Sequence, residues 1–387
     1  MITWYIIFWF TIFLVFHSYV LYPWILQLLA SRKQDRVTEP ADSSLPPVTV
    51  LMSVYNEAAI LPEKLNSILA SHYPAGKLKI IVGSDASDDD THQILADYEK
   101  KHKSFRAIIF RERQGKPAVI NQLVDETTDE LLILTDAKAI FQPSTVRSLA
   151  AHFQDPETGI VGGNILNRTV EKDGVSIQEK AFMSREILMK YREGLIWGAT
   201  VGVYGAIYAI RKELYTPVPE GFAVDDFFVS LNVTRQKKKA LLDIHAITHE
   251  EVPNLLSEEY RRKVRIATGN YRNLRYFGKE LLTPWKGASF AYISHKVIRW
   301  LGPFIILAFL LANAFLYHDG GFYRVSMMTA VTILCLPIFD FFLSKIGIHI
   351  VILRFVRHFV TMHIALLHGF INNLGGIRRD VWQPTNR

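Results

Sequence analysis

PVTVLMSVYN (47–56), LKIIVGSD (78–85) and LLILTDA (131–137) decide the fold class. Each is a short apolar run rich in β-branched residues, the pattern of a strand buried on both faces. Helical patterns at 57–72, 88–103 and 116–126 separate them, with one more strand at 105–110. The alternation β-α-β-α-β-α-β predicts an α/β fold, a mostly parallel sheet with helices on both faces. Ligands in such sheets bind beyond the carboxyl ends of the strands. Here those ends carry Tyr55-Asn56-Glu57, Ser84-Asp85 and Thr135-Asp136, so polar and mostly acidic groups converge on one edge. Asp88, Asp89 and Asp90 read as helix caps. Asp85 and Asp136, which share the edge, read as ligand-binding groups. No Gly-x-Gly-x-x-Gly or Walker loop follows these strands, which disfavours a dinucleotide or P-loop site.

Outward from this block, the composition changes. The chain has 387 residues, 49% hydrophobic and 21% charged, with a formal net charge of +7. The charges lie mainly between 31 and 280, and the apolar mass lies at the two ends. Residues 2–30 carry no Lys, Arg, Asp or Glu, and about 20 apolar residues span a bilayer as a helix. A cleaved leader would start basic and have a shorter apolar core. Residues 1–30 are therefore expected to be a retained transmembrane anchor. Tyr19, Tyr22 and Trp24 suit an interfacial belt, and Arg32 and Lys33 place the next segment in the cytosol at the inner membrane. Pro40, Pro46 and Pro47 mark a linker over 31–46. Residues 47–280 form the cytosolic domain, and 281–387 a membrane region of interfacial and transmembrane helices. Within it, 300–317 and 325–343 read as spans. Residues 346–373 are interrupted by Arg354, Arg357 and His358, which suit an interfacial helix. Asp340 reads as either a residue snorkelling from a span end or a functional polar group, the first more readily. The charge of Arg378 and Arg379 leaves the parity of crossings open.

Two basic runs, 235–239 and 261–265, stand out. The first reads as a solvated face. The second sits on a helical pattern leading to the membrane and can serve phosphate groups. No nucleic-acid-binding module accompanies them, so no nucleic-acid partner is expected. The one cysteine, Cys335, excludes an internal disulfide framework.

In order and spacing, these segments resemble glycosyltransferase family 2, the GT-A fold group, over roughly 47–275. VTVLMSVYNE and VGSDASDDDT are similar to the family's nucleotide-holding strand motifs. RQGKPAVIN resembles the Gly-Lys segment near the nucleotide, GAIYAIRKEL (205–214) the acceptor-side strand, VDDFFVSLNVTRQ (224–236) the helix start with the catalytic base, and RRKVRIATGN (261–270) the basic motif over the diphosphate. The resemblance implies nucleotide-binding roles for Tyr55, Glu57, Asp85, Lys116 and Asp136. It implies catalytic roles for Asp226, the base, and its neighbour Asp225. Arg265, Lys138 and Gly205 fall at the diphosphate or acceptor, Gly205 leaving room for a sugar. Two departures stand out. The family's Asp-x-Asp metal motif reads Asp136-Ala137-Lys138, with Asp136 the implied metal contact; either other groups also hold the metal, or the Lys138 ammonium partly replaces it in neutralising diphosphate charge. In place of the Gln-x-x-Arg-Trp motif of polymer-making members stand Arg262, Arg265 and Ile266, without the tryptophan surface.

The implied activity is inverting transfer of a sugar from a nucleotide-sugar donor, a UDP-sugar by the family's commonest usage. A divalent cation, Mg or Mn, is the implied cofactor. The acceptor is a lipid-linked or membrane-near glycan hydroxyl, and a second copy of the chain is a candidate partner (a homo-oligomer). The alternatives are a processive polysaccharide synthase, which Ile266 and the few spans disfavour, and a non-catalytic membrane scaffold, which the retained Asp85, Asp136, Asp226 and Arg265 oppose. His249, after the strand expected at 240–247, reads as a satisfied histidine more readily than as a metal or phosphate ligand.

Overall fold

A computed structural model describes residues 1–33, 40–168, 176–251, 255–281 and 286–375. Part of the expected linker, and Arg378 and Arg379, lie outside the described residues. The chain enters with α1 (Ile2–Phe16), which continues through a π-turn (His17–Leu21) into α2 (Tyr22–Ala30). The sheet region comes next. It comprises β1 (Val48–Val54), α3 (Leu61–Leu69), β2 (Leu78–Asp85), α4 (Thr91–Lys101), β3 (Phe105–Phe110), α5 (Lys116–Asp125), β4 (Leu131–Thr135), β5 (Ile140–Phe141), α6 (Thr145–Ala151) and β6 (Thr158–Asn167). Then come α7 (Ser176–Trp197), β7 (Ile207–Arg211), α8 (Asp225–Arg235) and β8 (Lys239–Glu250). The last stretch is helical, with α9 (Leu256–Leu281), α10 (Gly287–Tyr292), α11 (Ile298–Trp300), α12 (Gly302–Leu316), α13 (Gly321–Lys345) and α14 (Val351–Leu374). Two compact units result. The sheet unit takes Leu29–Thr169 and Met183–Val252, and the helical unit takes Met1–Leu28, Val170–Phe182 and Pro253–Gly376.

Among the described residues, the sheet unit has eight strands in the order β3-β2-β1-β4-β7-β6-β8-β5. β3, β2, β1 and β4 run parallel, as the alternation predicts. β7 is antiparallel to both β4 and β6, with Thr135 opposite Ile207. That reversal brings the residues just before β7, Gly205 and Ala206, to the edge where the parallel strands end. Val48, Val50, Met52 and Val54 of β1 pack on Leu61, Leu65 and Ile68 of α3 in one core. Each such side chain stabilises the fold by about 2 kcal/mol, and Leu65→Ala would remove about 2–5 kcal/mol. α3 is shorter than the 57–72 pattern because the chain turns first: Asn56 has a positive φ of 52°. Pro62 then fits the first turn, where its missing N–H costs nothing. The basic run at 235–239 is partly paired, Lys238 with Glu157 at 2.9 Å and Lys239 with Asp155 at 2.7 Å.

In the helical unit, Trp4 of α1 stacks on Phe315 of α12 at 4.1 Å between ring centres. A second π-turn, Ile293–Val297, meets the first: the His17 ring lies 2.9 Å from the Ser294 hydroxyl, and the Ser18 hydroxyl donates to the Ser294 carbonyl at 2.7 Å. α9 and α14 cross closely at Gly369, where a Cβ would fall 2.5 Å from that of Ala267. Arg262 and Lys263 of α9 pair with Glu179 of α7 at 2.6 and 3.1 Å and with Glu259 at 2.8 and 3.2 Å, both glutamates being buried. Burial would raise the Glu259 carboxyl, but Lys263 and then Arg262 hold it down at about 2.

Among the described residues, three helices are long and apolar enough to cross a membrane: Ile2–Ala30, Gly321–Lys345 and Val351–Leu374. The span expected at 300–317 coincides with α12, and a bend lies just before it. Gly287–Trp300 and Gly302–Leu316 meet at 65°, and Pro303, which lacks an N–H, sits in the first turn after the break. The stretch 346–373, left open between a crossing and an interfacial helix, lies mostly in α14, a continuous helix of 24 residues. Asp340 does not snorkel. It is 1% exposed, and Arg357 of α14 donates to it at 3.1 Å.

Candidate active site

The parallel strand ends and the loop before β7 build one polar edge in the sheet unit. At its β1–β2 side, two non-glycine residues adopt left-handed backbone, Asn56 (φ 52°) and Ala86 (φ 56°). Such conformations persist only where surrounding bonds hold them, and they concentrate at functional sites. The bonds are present. The Asn56 N–H donates to the Ser87 hydroxyl at 3.1 Å, the Asp88 N–H to the Asn56 side-chain oxygen at 3.0 Å, and the Ala58 N–H to Asp89 at 3.0 Å. This corrects the capping expectation in part. Asp89 does accept the Thr91 N–H at 3.0 Å, but Asp90, at the N-cap of α4, makes no side-chain cap bond, and Asp88 and Asp89 tie two loops together.

Asp85, 3% exposed at the end of β2, accepts the backbone N–H groups of Gln114 (2.7 Å) and Gly115 (2.9 Å). Gly115 enables that approach with φ 89°, and Lys116 and Pro117 then open α5. Arg113 lies 4.0 Å from Asp85 and stacks over the Tyr55 ring at 3.5 Å. Tyr55, Asp85 and Arg113 thus form one polar and aromatic wall. Arg113 carries no signal of this role in the sequence; its place results from the loop wrapping back onto Asp85.

Beside that wall stands a charged cluster. The Lys116 ammonium lies 2.7 Å from Asp136 and 3.5 Å from Asp225. Burial alone would lower its pKa; Asp136, then Asp225 and Asp226, outweigh burial and hold it raised. Asp226 accepts the Gly205 N–H at 2.6 Å and the Phe227 N–H at 2.8 Å. Burial first, then the neighbouring Asp225 charge, raise the Asp226 carboxyl to about 6, against Lys116 and Lys190. A carboxyl poised near neutrality is what a general base needs. At Gly205 a Cβ would stand 3.4 Å from both the Asp226 carboxylate and the Lys116 ammonium, so the missing side chain keeps this corner open. Lys138 lies 3.8 Å from Glu57.

The structure therefore gathers Lys116, Asp136, Asp225, Asp226 and Gly205 in one cluster, sets Tyr55 with Asp85, and pairs Glu57 with Lys138. Arg265 lies on α9, in the helical unit. His249 is a strand residue, paired opposite Ile140, with its ring 3.0 Å from the Gln142 amide. Lys190, buried with its ammonium 3.5 Å above the Tyr204 ring, is likewise a residue that no sequence pattern marks. Among the described residues, no three His, Cys, Asp or Glu side chains gather to cage a metal. The Asp136 carboxylate, 41% exposed, meets Lys116 through Oδ1. One accessible carboxylate fits a cation shared with a bound diphosphate, as hard cations are commonly held.

Residues 49–216 match the family model described as "Glycosyl transferase family 2". The chain is 23% identical over 231 residues to poly-beta-1,6-N-acetyl-D-glucosamine synthase of Staphylococcus epidermidis, covering 59% of this chain and 55% of that protein. To the protein of the same name from Staphylococcus aureus (strain COL) it is 24% identical over 268 residues, 68% of this chain and 64% of the relative. The chain thus spans somewhat over half the length of the curated relatives it matches. Among solved structures, it is similar to a mannosyltransferase from Pyrobaculum calidifontis in complex with GDP-Man and Mn2+, 21% identical. That match covers 95% of this chain and 99% of the other with a TM-score of 0.69, which shows a shared fold. The matched segment runs from Thr49 in β1 to Thr216 just past β7 and takes in Asp85, Lys116, Asp136 and Gly205, so this part of the sheet unit is similar to glycosyltransferase family 2.

Proposed function

We propose that the chain transfers a sugar, with inversion, from a nucleotide-sugar donor to a hydroxyl of a lipid-linked or membrane-near glycan. The observation that carries this reading is the Asp226 carboxyl, raised to about 6 and held 2.6 Å from the Gly205 N–H beside the Lys116–Asp136 pair. Asp226 takes the acceptor proton as the hydroxyl oxygen bonds to the anomeric carbon. The bond from that carbon to the diphosphate oxygen breaks, and the nucleoside diphosphate leaves. Asp225 keeps Asp226 basic. Tyr55, Asp85 and Glu57 hold the nucleoside end. Lys116, Lys138 and Arg265 supply positive charge for the leaving diphosphate. A divalent cation, Mg or Mn, held by Asp136 together with the diphosphate would neutralise further charge there. Residues 47–280 are the cytosolic catalytic domain, anchored at the inner membrane by 1–30 and 281–387.

The test is incubation of purified membranes with radiolabelled UDP- and GDP-sugars. Transfer is expected with one donor class, and Asp226→Asn is expected to lower it by about 10³-fold while donor binding survives. Intact turnover in that variant removes Asp226 as the base. The name of the staphylococcal relatives favours a second reading, polymer synthesis. The absent tryptophan at Ile266 favours single addition, and the chain length of the product separates the two.

A further inference from the structure

Lys64 has no part in the chemistry above, yet it is 0% exposed in the middle of α3. The buried face of that helix is Leu61, Lys64, Leu65 and Ile68. A lysine thus fills a core position that the helical period reserves for an apolar side chain. Its ammonium donates to the Thr135 hydroxyl at 2.8 Å and to the Ala139 carbonyl, and stands 3.8 Å over the Phe141 ring. Three N–H groups thereby meet two oxygens and one ring face, and among the described residues Lys64 forms no ion pair. Those oxygens belong to the two ends of the short loop that carries Asp136 and Lys138. Within the loop, the Ala139 N–H closes a tight turn onto the Asp136 carbonyl at 3.3 Å. The Thr135 hydroxyl donates onward to the Ala206 carbonyl at 2.7 Å, and the Asp136 N–H reaches the same oxygen at 3.3 Å. Ala206 adjoins Gly205, whose N–H meets Asp226.

We propose that Lys64 is a positioning residue that pins both ends of the Thr135–Ala139 loop from below and so sets Asp136 and Lys138 in the geometry that receives a nucleoside diphosphate. This rests on the sugar-transfer reading. It predicts a defect confined to the phosphate end, because the nucleoside wall of Tyr55, Asp85 and Arg113 is built by other loops.

The experiment compares the full chain in detergent with Lys64→Met and with Ile68→Val, a core substitution on the same helix. UDP and GDP with MnCl2, and uridine and guanosine alone, are titrated by calorimetry, and turnover is measured in parallel. Lys64→Met is expected to weaken binding of the recognised diphosphate about tenfold and leave its nucleoside within twofold. Ile68→Val is expected to lower the melting temperature and change neither affinity by more than twofold. Thr135→Val, which removes the contact from the other side, is expected to repeat the selective loss should Lys64→Met fold poorly. Equal losses for nucleoside and diphosphate, or no loss in either variant, overturn the proposal. A wild-type chain that binds and turns over its donor beside an unaffected Lys64→Met overturns Lys64 alone. A wild-type chain that binds neither diphosphate overturns the transfer reading and this one with it.

Discussion

The Lys116 ammonium stands 2.7 Å from Asp136 and joins the end of a sheet strand to the start of a helix 20 residues earlier in the chain. The same ammonium lies 3.5 Å from Asp225, so one cation bridges two carboxylates from different elements. Its position makes it a control point for the charge of the whole cluster.

As the proposed base, Asp226 acts only when ionised, so turnover is expected to rise with pH through a pKa of about 6, with the rate at pH 5 about one-tenth of the plateau. Asp225→Asn removes a neighbouring negative charge that raises Asp226, so the acidic limb moves to lower pH. Lys116→Met removes a cation that lowers Asp226, so the limb moves to higher pH, with plateau turnover down about 10²-fold or more. A pH–rate profile of the three proteins checks both directions; limbs that stay in place refute the assignment of the base.

Lys138 occupies the second position of the metal motif and stands 3.8 Å from Glu57. Fixed ammonium groups at Lys138 and Lys116 leave part of the leaving-group stabilisation independent of added cation. A chelating buffer is therefore expected to slow transfer about 10–100-fold rather than abolish it. Lys138→Ala in the same buffer is expected to be inactive. Complete loss of wild-type transfer on chelation, restored by Mg2+ or Mn2+, would sink the lysine-substitution idea.

Arg262 and Arg265 lie one turn apart on α9 and separate two roles. Arg262 pairs with buried Glu179 and Glu259, so Arg262→Ala leaves two buried carboxylates with Lys263 and costs about 3–5 kcal/mol of stability. Glu259, held at about 2 against a usual 4.5, contributes stability present above pH 4.5 and lost as pH falls towards 2. Arg265→Ala is expected to raise the donor KM or lower kcat with little change in melting temperature. Thermal melts and kinetics on both variants check the split.

His152 lies 3.1 Å from Asp243 at a buried position in the sheet unit, and Asp243 also accepts the His245 N–H at 2.7 Å. Burial would raise the Asp243 carboxyl, but its bond to His152 leaves it lowered. The stability it contributes is present above the ordinary aspartate range and is lost as pH falls through its depressed value. His152→Ala is expected to cost about 2–4 kcal/mol at pH 7, read as a lower melting temperature, with turnover per folded molecule unchanged.

The sheet was legible because strands buried on both faces must be apolar runs of a few residues, and β1, β2, β3 and β4 are such runs. Asp85 and Asp136 were legible for the same reason: the period that marks a strand also marks its end. The match of Asp225 and Asp226 to a helix start carried them too. Tertiary structure alone decided the rest. The antiparallel entry of β7 brings Gly205 against Asp226, and strand direction is not written in local hydropathy. Arg113 reaches Asp85 and Tyr55 only because its loop folds back, and Lys64 is a core residue only because the loop after β4 supplies its acceptors. Asp340 finds Arg357 17 residues away on another helix, a pairing that turns a lone acid in an apolar stretch into a buried ion pair. Local order and element type are set by the spacing of apolar groups along the chain; partners of buried charge are set by where the folded backbone leaves an oxygen or a cation to meet them.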